Sequence, residues 1–428
     1  ESLIVPAKKR LFQQALNSLV NGKTMDTRQN VQNFLTRHEF SIDVADGLHE
    51  RILADMKSGL DGKSSDQAMI QAGSAVMHEI QEGSTAIVID AGGTNFRSCL
   101  VTKNRTGISL SQFEKTFMPG SDRNVSKKEF FSAIASNIAR LKDASDRIAF
   151  CFSYAMEITD DGDGRILKFS KEVKAQDAVG SLLGKELILE LERQGWKKIQ
   201  KVSVLNDTTA LLLADLSATE SDMMRSHVAF ILGTGMNSAY VHGGRIVVTE
   251  CGMFNGVQQS DFDRIVDAGT AHAGQSVLEK MCSGVYLGEI VHAMIKTACT
   301  EGLFSNAFCS AAKDIERLTA ADLDPVLQRK KMFSGTEEDC LVVKEFVCSV
   351  VERAAYLSAE AVYAAILAAD KKQGCGTVSI ACNGSTFWKT PRLKEAMESR
   401  LKALLPDDIK IIQIADDITA GSFASAFM

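Results

Sequence analysis

The chain has 428 residues, 45% of them hydrophobic and 24% charged, with a formal net charge of −6. One hydrophobic core stops growing near ~250–300 residues, so two domains are expected. The acidic balance excludes the basic field that nucleic acid or anionic lipid would need, and leaves small-molecule ligands as the expected partners.

In chain order, about 80 leading residues read as helical. Leu11, Leu16, Leu19 and Val20 recur at helical spacing, and Val44, Leu48, Ile52, Leu53 and Met56 repeat the pattern. The apolar stretch behind Lys8, Lys9 and Arg10 is broken by Gln13, Gln14, Asn17 and Ser18, so a signal peptide is not expected. Gly59, Gly62 and the polar KSSDQ mark a loop. From Thr85 the texture changes to strands at AIVID, SCLVT and SQFEKTF. A helix over Lys127–Leu141 leads to the strand RIAFCFSY, and a helix over Leu182–Arg193 leads to KVSVLND. This alternation implies a sheet wrapped by helices. The apolar Ala354–Ala369 has Glu352, Arg353 and Glu360 in or beside it and is shorter than the ~20 residues that cross a bilayer, so it reads as a buried helix. All 10 cysteines are scattered singly, the usage of reduced thiols in a cytosolic protein, and the 7 histidines show no ligand spacing for a transition metal.

The stretch Val88–Asn95 (VIDAGGTN) is repeated at Phe230–Asn237 (FILGTGMN). Each is an apolar strand, a Gly/Thr turn and an Asn, followed by a second strand. Either turn alone is equally well a plain hairpin. Two matching tips favour a phosphate cradle, because glycine lets backbone N–H groups approach phosphate oxygens closely. The Walker string G-x-x-x-x-G-K-[ST] is absent, and Gly92-Gly93-Thr94 opens a strand where a dinucleotide fingerprint would open a helix. Asn206-Asp207-Thr208-Thr209 follows the strand KVSVL, which puts a carboxylate at the ligand-binding edge of the sheet. Helix capping alone would account for Asp207, but leaves Asn206 beside it unexplained. The acidic DDGDG at 160–164 fails the EF-hand pattern, because Ser170 falls where the closing Glu belongs, and it reads as a hairpin turn.

Together these segments resemble the hexokinase family. The resemblance rests on Asp90-Ala-Gly-Gly-Thr-Asn-Phe-Arg97, FSYAMEI, FSKEVKAQDAVG, Asn206-Asp207-Thr208, Gly233-Thr-Gly-Met-Asn237, Glu250-Cys-Gly-Met-Phe254, Ala273–Lys280, Ser283–Glu289 and Asn383-Gly384-Ser385. It implies an α/β, two-domain actin-like ATPase (ribonuclease H-like) fold, each domain a mixed five-stranded-type sheet flanked by helices, with a cleft between them. Residues 1–83 would be a helical segment packed on the large domain. Residues 84–205 would form the small domain, rejoined by 417–428 with a last helix near Ala420–Met428, and 206–416 the large domain.

The resemblance also implies transfer of the γ-phosphoryl of ATP, with Mg²⁺, to the 6-hydroxyl of a hexose, glucose first and mannose, fructose or an amino sugar as alternatives. A catalytically weak hexose sensor is the other reading. By position, Asp207 would be the catalytic base and Lys171 would assist the transferring phosphoryl while touching the sugar. Ser153, Ser170, Asn206, Asn237, Glu250 and Glu279 would bind sugar hydroxyls. Asp90 would lie near Mg²⁺ through water. Gly92, Gly93, Thr94, Asn95 and Arg97 would lie near the phosphates, Gly233 and Thr234 on the opposite hairpin, and Gly384 and Ser385 near the adenosine. A cytoplasmic enzyme is expected, with neither a nucleic-acid partner nor a membrane segment, and as a monomer or a homodimer.

Overall fold

The computed structural model describes residues 25–159, 161–169, 173–218, 223–327 and 335–428. The helical pattern at Leu11–Val20, and the site candidates Ser170 and Lys171, lie outside these residues. Asp160 of the acidic tip does as well.

Thirteen strands among the described residues form two large sheets and one hairpin. In chain order they are β1 (Ile70–Ser74), β2 (Thr85–Gly92), β3 (Asn95–Asn104), β4 (Gly107–Phe117), β5 (Arg147–Phe152), β6 (Ala155–Ile158), β7 (Gly164–Lys168), β8 (Lys201–Leu205), β9 (Ser226–Leu232), β10 (Met236–His242), β11 (Arg245–Val248), β12 (Thr377–Asn383) and β13 (Asp408–Ile412). One sheet has the order β4-β3-β2-β5-β8, the other β1-β11-β10-β9-β12-β13, and β6 pairs with β7.

The two sheets are built on one plan, which accounts for the repeat in the sequence. In the first, β2 pairs antiparallel with β3, β3 antiparallel with β4, and β2, β5 and β8 run parallel. In the second, β9, β10 and β11 make the same antiparallel meander, and β9, β12 and β13 run parallel. The parallel strands are joined by crossovers that carry helices, as parallel pairing demands. The described helices Lys127–Asn137 and Leu183–Arg193 match the expected ones at Lys127–Leu141 and Leu182–Arg193 to within a turn. The buried helix expected at Ala354–Ala369 is the second half of a longer one, Glu337–Ala368.

The second sheet has a sixth strand that the helical reading of the first 83 residues misses. The edge strand β1 pairs antiparallel with β11 through Ile70↔Val248 and Gln71↔Val247. Five residues broken by Gly73 give too short an alternation to read as a strand from sequence. Upstream, Leu48–Leu60 is helical as the spacing predicts, and it buries Leu48, Ile52 and Met56.

Two main hydrophobic clusters correspond to the two sheets. One gathers Ile87, Ile89, Phe130, Phe150, Phe152, Leu187 and Trp196. The other gathers Phe230, Leu232 and Tyr240 with the long helix Glu337–Ala368 and with Phe34, Leu48, Ile52 and Met56 from the chain's first part. Between them runs the helix Asp207–Leu216, in which every residue from Thr208 to Asp215 is buried. Its far end is tied to the second sheet by Asp215, which accepts hydrogen bonds from the Ser379 hydroxyl (2.8 Å) and engages His227 Nδ1 (2.7 Å).

The last helix begins at Asp417, three residues ahead of the expected Ala420, and runs to Ser425. Phe423 and Ala426 cover the outer face of the first sheet, against Val88, Cys99 and Ala149. This helix crosses Asp207–Leu216 so closely that a Cβ at Gly421 would lie 1.7 Å from the Ala210 carbonyl oxygen. Alanine is the better helix former by about 1 kcal/mol, but an overlap with backbone cannot be relieved by a rotamer change. Gly421→Ala is therefore expected to be destabilising by about 1–3 kcal/mol, read as a lower thermal-unfolding midpoint. A midpoint at or above wild type would show that the two helices are not held this close.

Candidate active site

Asp207 is placed by backbone rules. Helix Asp207–Leu216 starts directly after β8, and its N-cap is Asn206, whose Oδ1 accepts the Thr209 N–H at 2.8 Å. This corrects the capping account of Asp207: the neighbour caps, and Asp207 is the first helical residue. Its Oδ1 accepts from the Thr208 N–H (2.8 Å) and hydroxyl (3.2 Å), which leaves Oδ2 for a ligand. Burial is the largest influence on its carboxyl and pushes the pKa up, the Thr208 bonds pull it down, and the charge of Asp90 pushes it up again.

Asp207 lines a cavity of about 420 Å³ together with Ser153, Asn206, Asn237 and Glu250. Five of the expected sugar-contacting residues thus meet in one place, drawn from the ends of β5 and β8, from β10 and from the turn after β11. Ser153 reaches it because its N–H bonds to the Ala91 carbonyl at 3.0 Å, continuing the pairing of β5 with β2. Asn237 and Glu250 fix each other: Asn237 Nδ2 donates to Glu250 Oε1 (2.6 Å) and Asn237 Oδ1 accepts from the Glu250 N–H (3.0 Å). Glu250 stands in the left-handed region at φ 56, a conformation an L-residue adopts at a cost. Its carboxyl is pushed up to about 7, by burial first, with the charges of Asp207 and Glu279 adding against the Asn237 bond.

Glu279, also expected to touch the sugar, is not among the residues lining this cavity, though its charge acts on Glu250. Its Oε2 accepts the Met236 N–H at 3.0 Å, and burial also raises its pKa. Gly235 and Gly252 make room for it, since a Cβ at Gly235 would lie 2.8 Å from Glu279 Oε2 and one at Gly252 3.1 Å from its Cβ.

The two repeated turns are hairpin tips, as the sequence predicts. In the first, Gly92 pairs with Asn95, Gly93 has φ 58, and Thr94 is exposed. Tyr154, given no role of its own in the sequence reading although it lies in FSYAMEI, donates its hydroxyl to the Gly93 carbonyl and so supports the tip. Asp90 and Arg97 pair across this hairpin at 2.6 Å. In the second, the Gly233 carbonyl accepts from the Gly284 N–H (2.8 Å) and the Thr386 hydroxyl (2.8 Å), and Thr234 is exposed. Gly384, at φ 114, lies against it. A Cβ there would come within 2.1 Å of the Leu232 carbonyl oxygen, so only glycine lets the turn carrying Ser385 sit beside this tip.

Asp417 is a further carboxylate that sequence reasoning passed over. It is buried, accepts from Asn383 Nδ2, and is raised by burial and by the charges of Asp416 and Asp90. Asp90 therefore lies in electrostatic reach of both Asp207 and Asp417. No cluster of three or more His, Cys, Asp or Glu side chains able to hold a metal occurs among the described residues. An ion such as Mg²⁺ needs no such cluster, since it takes one or two carboxylates and completes its shell with water and phosphate oxygens. Asp90, with one oxygen on Arg97, is the carboxylate placed beside the first tip.

Comparison with known proteins bears on the family and the fold. Two family models, both described as Hexokinase, match residues 30–216 and 227–428. Hexokinase-5 of Oryza sativa subsp. japonica is 27% identical over 461 residues, covering 93% of this chain and 90% of the relative. Human Hexokinase-1 is 26% identical over 439 residues, covering 92% of this chain and 47% of the relative, so the chain spans about half the length of such mammalian relatives. The solved structure of a Schistosoma mansoni hexokinase complexed with glucose superimposes with a TM-score of 0.75 at 22% identity, over 94% of this chain and 99% of the other. A second hexokinase crystal structure gives 0.78 at 18% identity, over 94% and 99%.

Proposed function

Because the chain belongs to the hexokinase family, a family of sugar-phosphorylating enzymes, we propose that it transfers the γ-phosphoryl of ATP to the 6-hydroxyl of a hexose, with glucose the first candidate. The observation that carries this reading is the meeting of Asp207 with Ser153, Asn206, Asn237 and Glu250 in one cavity. A hexose is a ring of hydroxyls that donate and accept, and this set supplies both partners. A sugar lacking one hydroxyl leaves a buried group unpaired and is rejected.

In this mechanism Asp207 Oδ2 accepts the hydrogen of the attacking hydroxyl and aims its oxygen at the phosphorus. Its raised pKa improves its match to that task, although it need not remove the proton early in a loose transition state. The N–H groups of the Gly93 and Gly233 tips would face the phosphates, and Gly384 and Ser385 the adenosine. Asp90 would hold Mg²⁺ through water, the ion neutralising phosphate charge when bound. Lys171 and Ser170 are proposed as sugar contacts on family position alone. We divide the chain into an N-terminal segment 1–83, a small domain 84–205 with 417–428, and a large domain 206–416. The cysteines are scattered singly along the sequence with no C-x-x-C pair, which supports a reducing compartment, and we place the enzyme in the cytoplasm.

The test is a coupled assay for sugar phosphate with ATP and a panel of hexoses. Turnover of at least one hexose is expected. Hexose-induced thermal stabilisation with no turnover of any hexose would favour the sensor reading.

A further inference from the structure

The cavity that holds Asp207 is larger and more apolar than a bare hexose uses. At the packing density of organic crystals, the twelve non-hydrogen atoms of a hexose occupy roughly half of its 420 Å³. The hydroxyl-binding residues account for part of the wall. Much of the rest is aliphatic: Ile70 from β1, Met156, Ile158 and Leu167 from the β6-β7 hairpin, and Val248 and Met253 at the end of β11 and beyond. Leu167 and Met253 are 52% and 43% exposed. Large apolar side chains left open singly on a surface need no explanation, but here two of them border one cavity that already has a polar end.

The alternation along β7 shows why Leu167 is available. Ile166 points into the core of the first sheet, and Leu167, one residue on, faces the opposite way. On the other wall, β1 is an edge strand, and both Ile70 and Ala72 line the cavity. The one aromatic residue lining the cavity among those described, Tyr154, has its hydroxyl engaged at the Gly93 carbonyl.

From the juxtaposition of a polar hydroxyl-binding end with an aliphatic wall in one oversized cavity, we infer that the preferred substrate is a hexose carrying a short apolar substituent. The inference rests on the sugar-kinase reading above and narrows it. The substituent ends in a methyl-like group that packs between Leu167, Ile158 and Met253 while the ring hydroxyls bond to Asn237 and Glu250. Two chemistries supply such a group: an acyl chain on an amino sugar, or an alkyl group in glycosidic linkage.

The experiment measures sugar-induced thermal stabilisation and ATP-dependent phosphorylation of the whole chain. It uses glucose and mannose, their N-acetylated 2-amino counterparts, and their methyl glycosides. One substituted series is expected to half-saturate the shift at ~10-fold lower concentration than its parent, the value of one or two buried methyl groups, and which series does so identifies the source. Leu167→Ser is expected to bring that ratio close to one. Leu167 is exposed, so the variant should fold, and Met253→Ser provides a second reading of the same ratio. Parent hexoses binding as tightly as every substituted form would overturn the inference while leaving the kinase reading intact. Preferential binding of a substituted sugar with no phosphorylation of any sugar would sink the kinase reading and leave the binding preference standing. No stabilisation by any sugar would overturn both.

Discussion

Asp207→Asn is expected to lower kcat by about 10²–10⁴, with the sugar-induced thermal shift retained. The substitution keeps the side chain's size and an oxygen for the Thr208 N–H, which Asp207 Oδ1 now accepts at 2.8 Å. It removes the negative charge from the free oxygen, so the attacking hydroxyl loses its proton acceptor. Asn206, Asn237, Ser153 and Glu250 stay in place, and in the proposed mechanism they hold ring hydroxyls that do not react. Binding and chemistry should therefore separate: sugar affinity within about tenfold of wild type, and turnover nearly gone. Near-wild-type turnover would move the base to another group; loss of both turnover and binding would mean that Asp207 organises the cavity rather than the reaction. Replacement should also relieve Glu250, whose carboxyl is raised in part by the charge of Asp207.

What the sequence disclosed about this site follows from how local each determinant is. The hairpin tips were legible because Gly-Thr turns between apolar runs act over a few residues, and their repetition reported the shared strand plan of the two sheets. Asp207 was legible through its place after a strand. The division of labour between Asn206 and Asp207 was not, since cap and first helical residue differ only in φ and ψ, and both residue types serve as caps. Long-range pairings were hidden for another reason. The close crossing at Gly421 and Ala210 and the buried Asp417 depend on where two distant segments meet, and no local periodicity encodes that. The edge strand β1 was masked by its shortness, although it supplies part of the cavity wall.

Glu250→Gln should weaken sugar binding and stabilise the empty protein at the same time. The Glu250 carboxyl is raised from the ordinary 4.5 to about 7, mainly by burial. A raised acid means that the folded state holds its proton more tightly than the unfolded chain does. Its ionisation therefore costs nothing below about pH 4.5, costs progressively more as pH rises towards 7, and costs a constant amount above that. By 1.36 kcal/mol per pKa unit, the plateau is about 3 kcal/mol. Glutamine keeps the Asn237 contact and never ionises, so its advantage in thermal midpoint over wild type is expected to be near zero at pH 4.5 and to grow up to pH 8. In the liganded protein the sign reverses. Ionised Glu250 is the stronger acceptor for sugar hydroxyls, and bonds to a charged partner are worth about 1.5–3 kcal/mol, so the variant's KM for sugar should rise by roughly 10- to 150-fold at pH 8. The wild-type KM should itself fall as pH rises through about 7, and Glu250→Gln should flatten that dependence. A variant that keeps the pH-dependent KM would show that another group, with Glu279 the nearest candidate, carries the titration. A midpoint difference that shrinks as pH rises would show that Glu250 is stabilised as a carboxylate and that burial does not govern it.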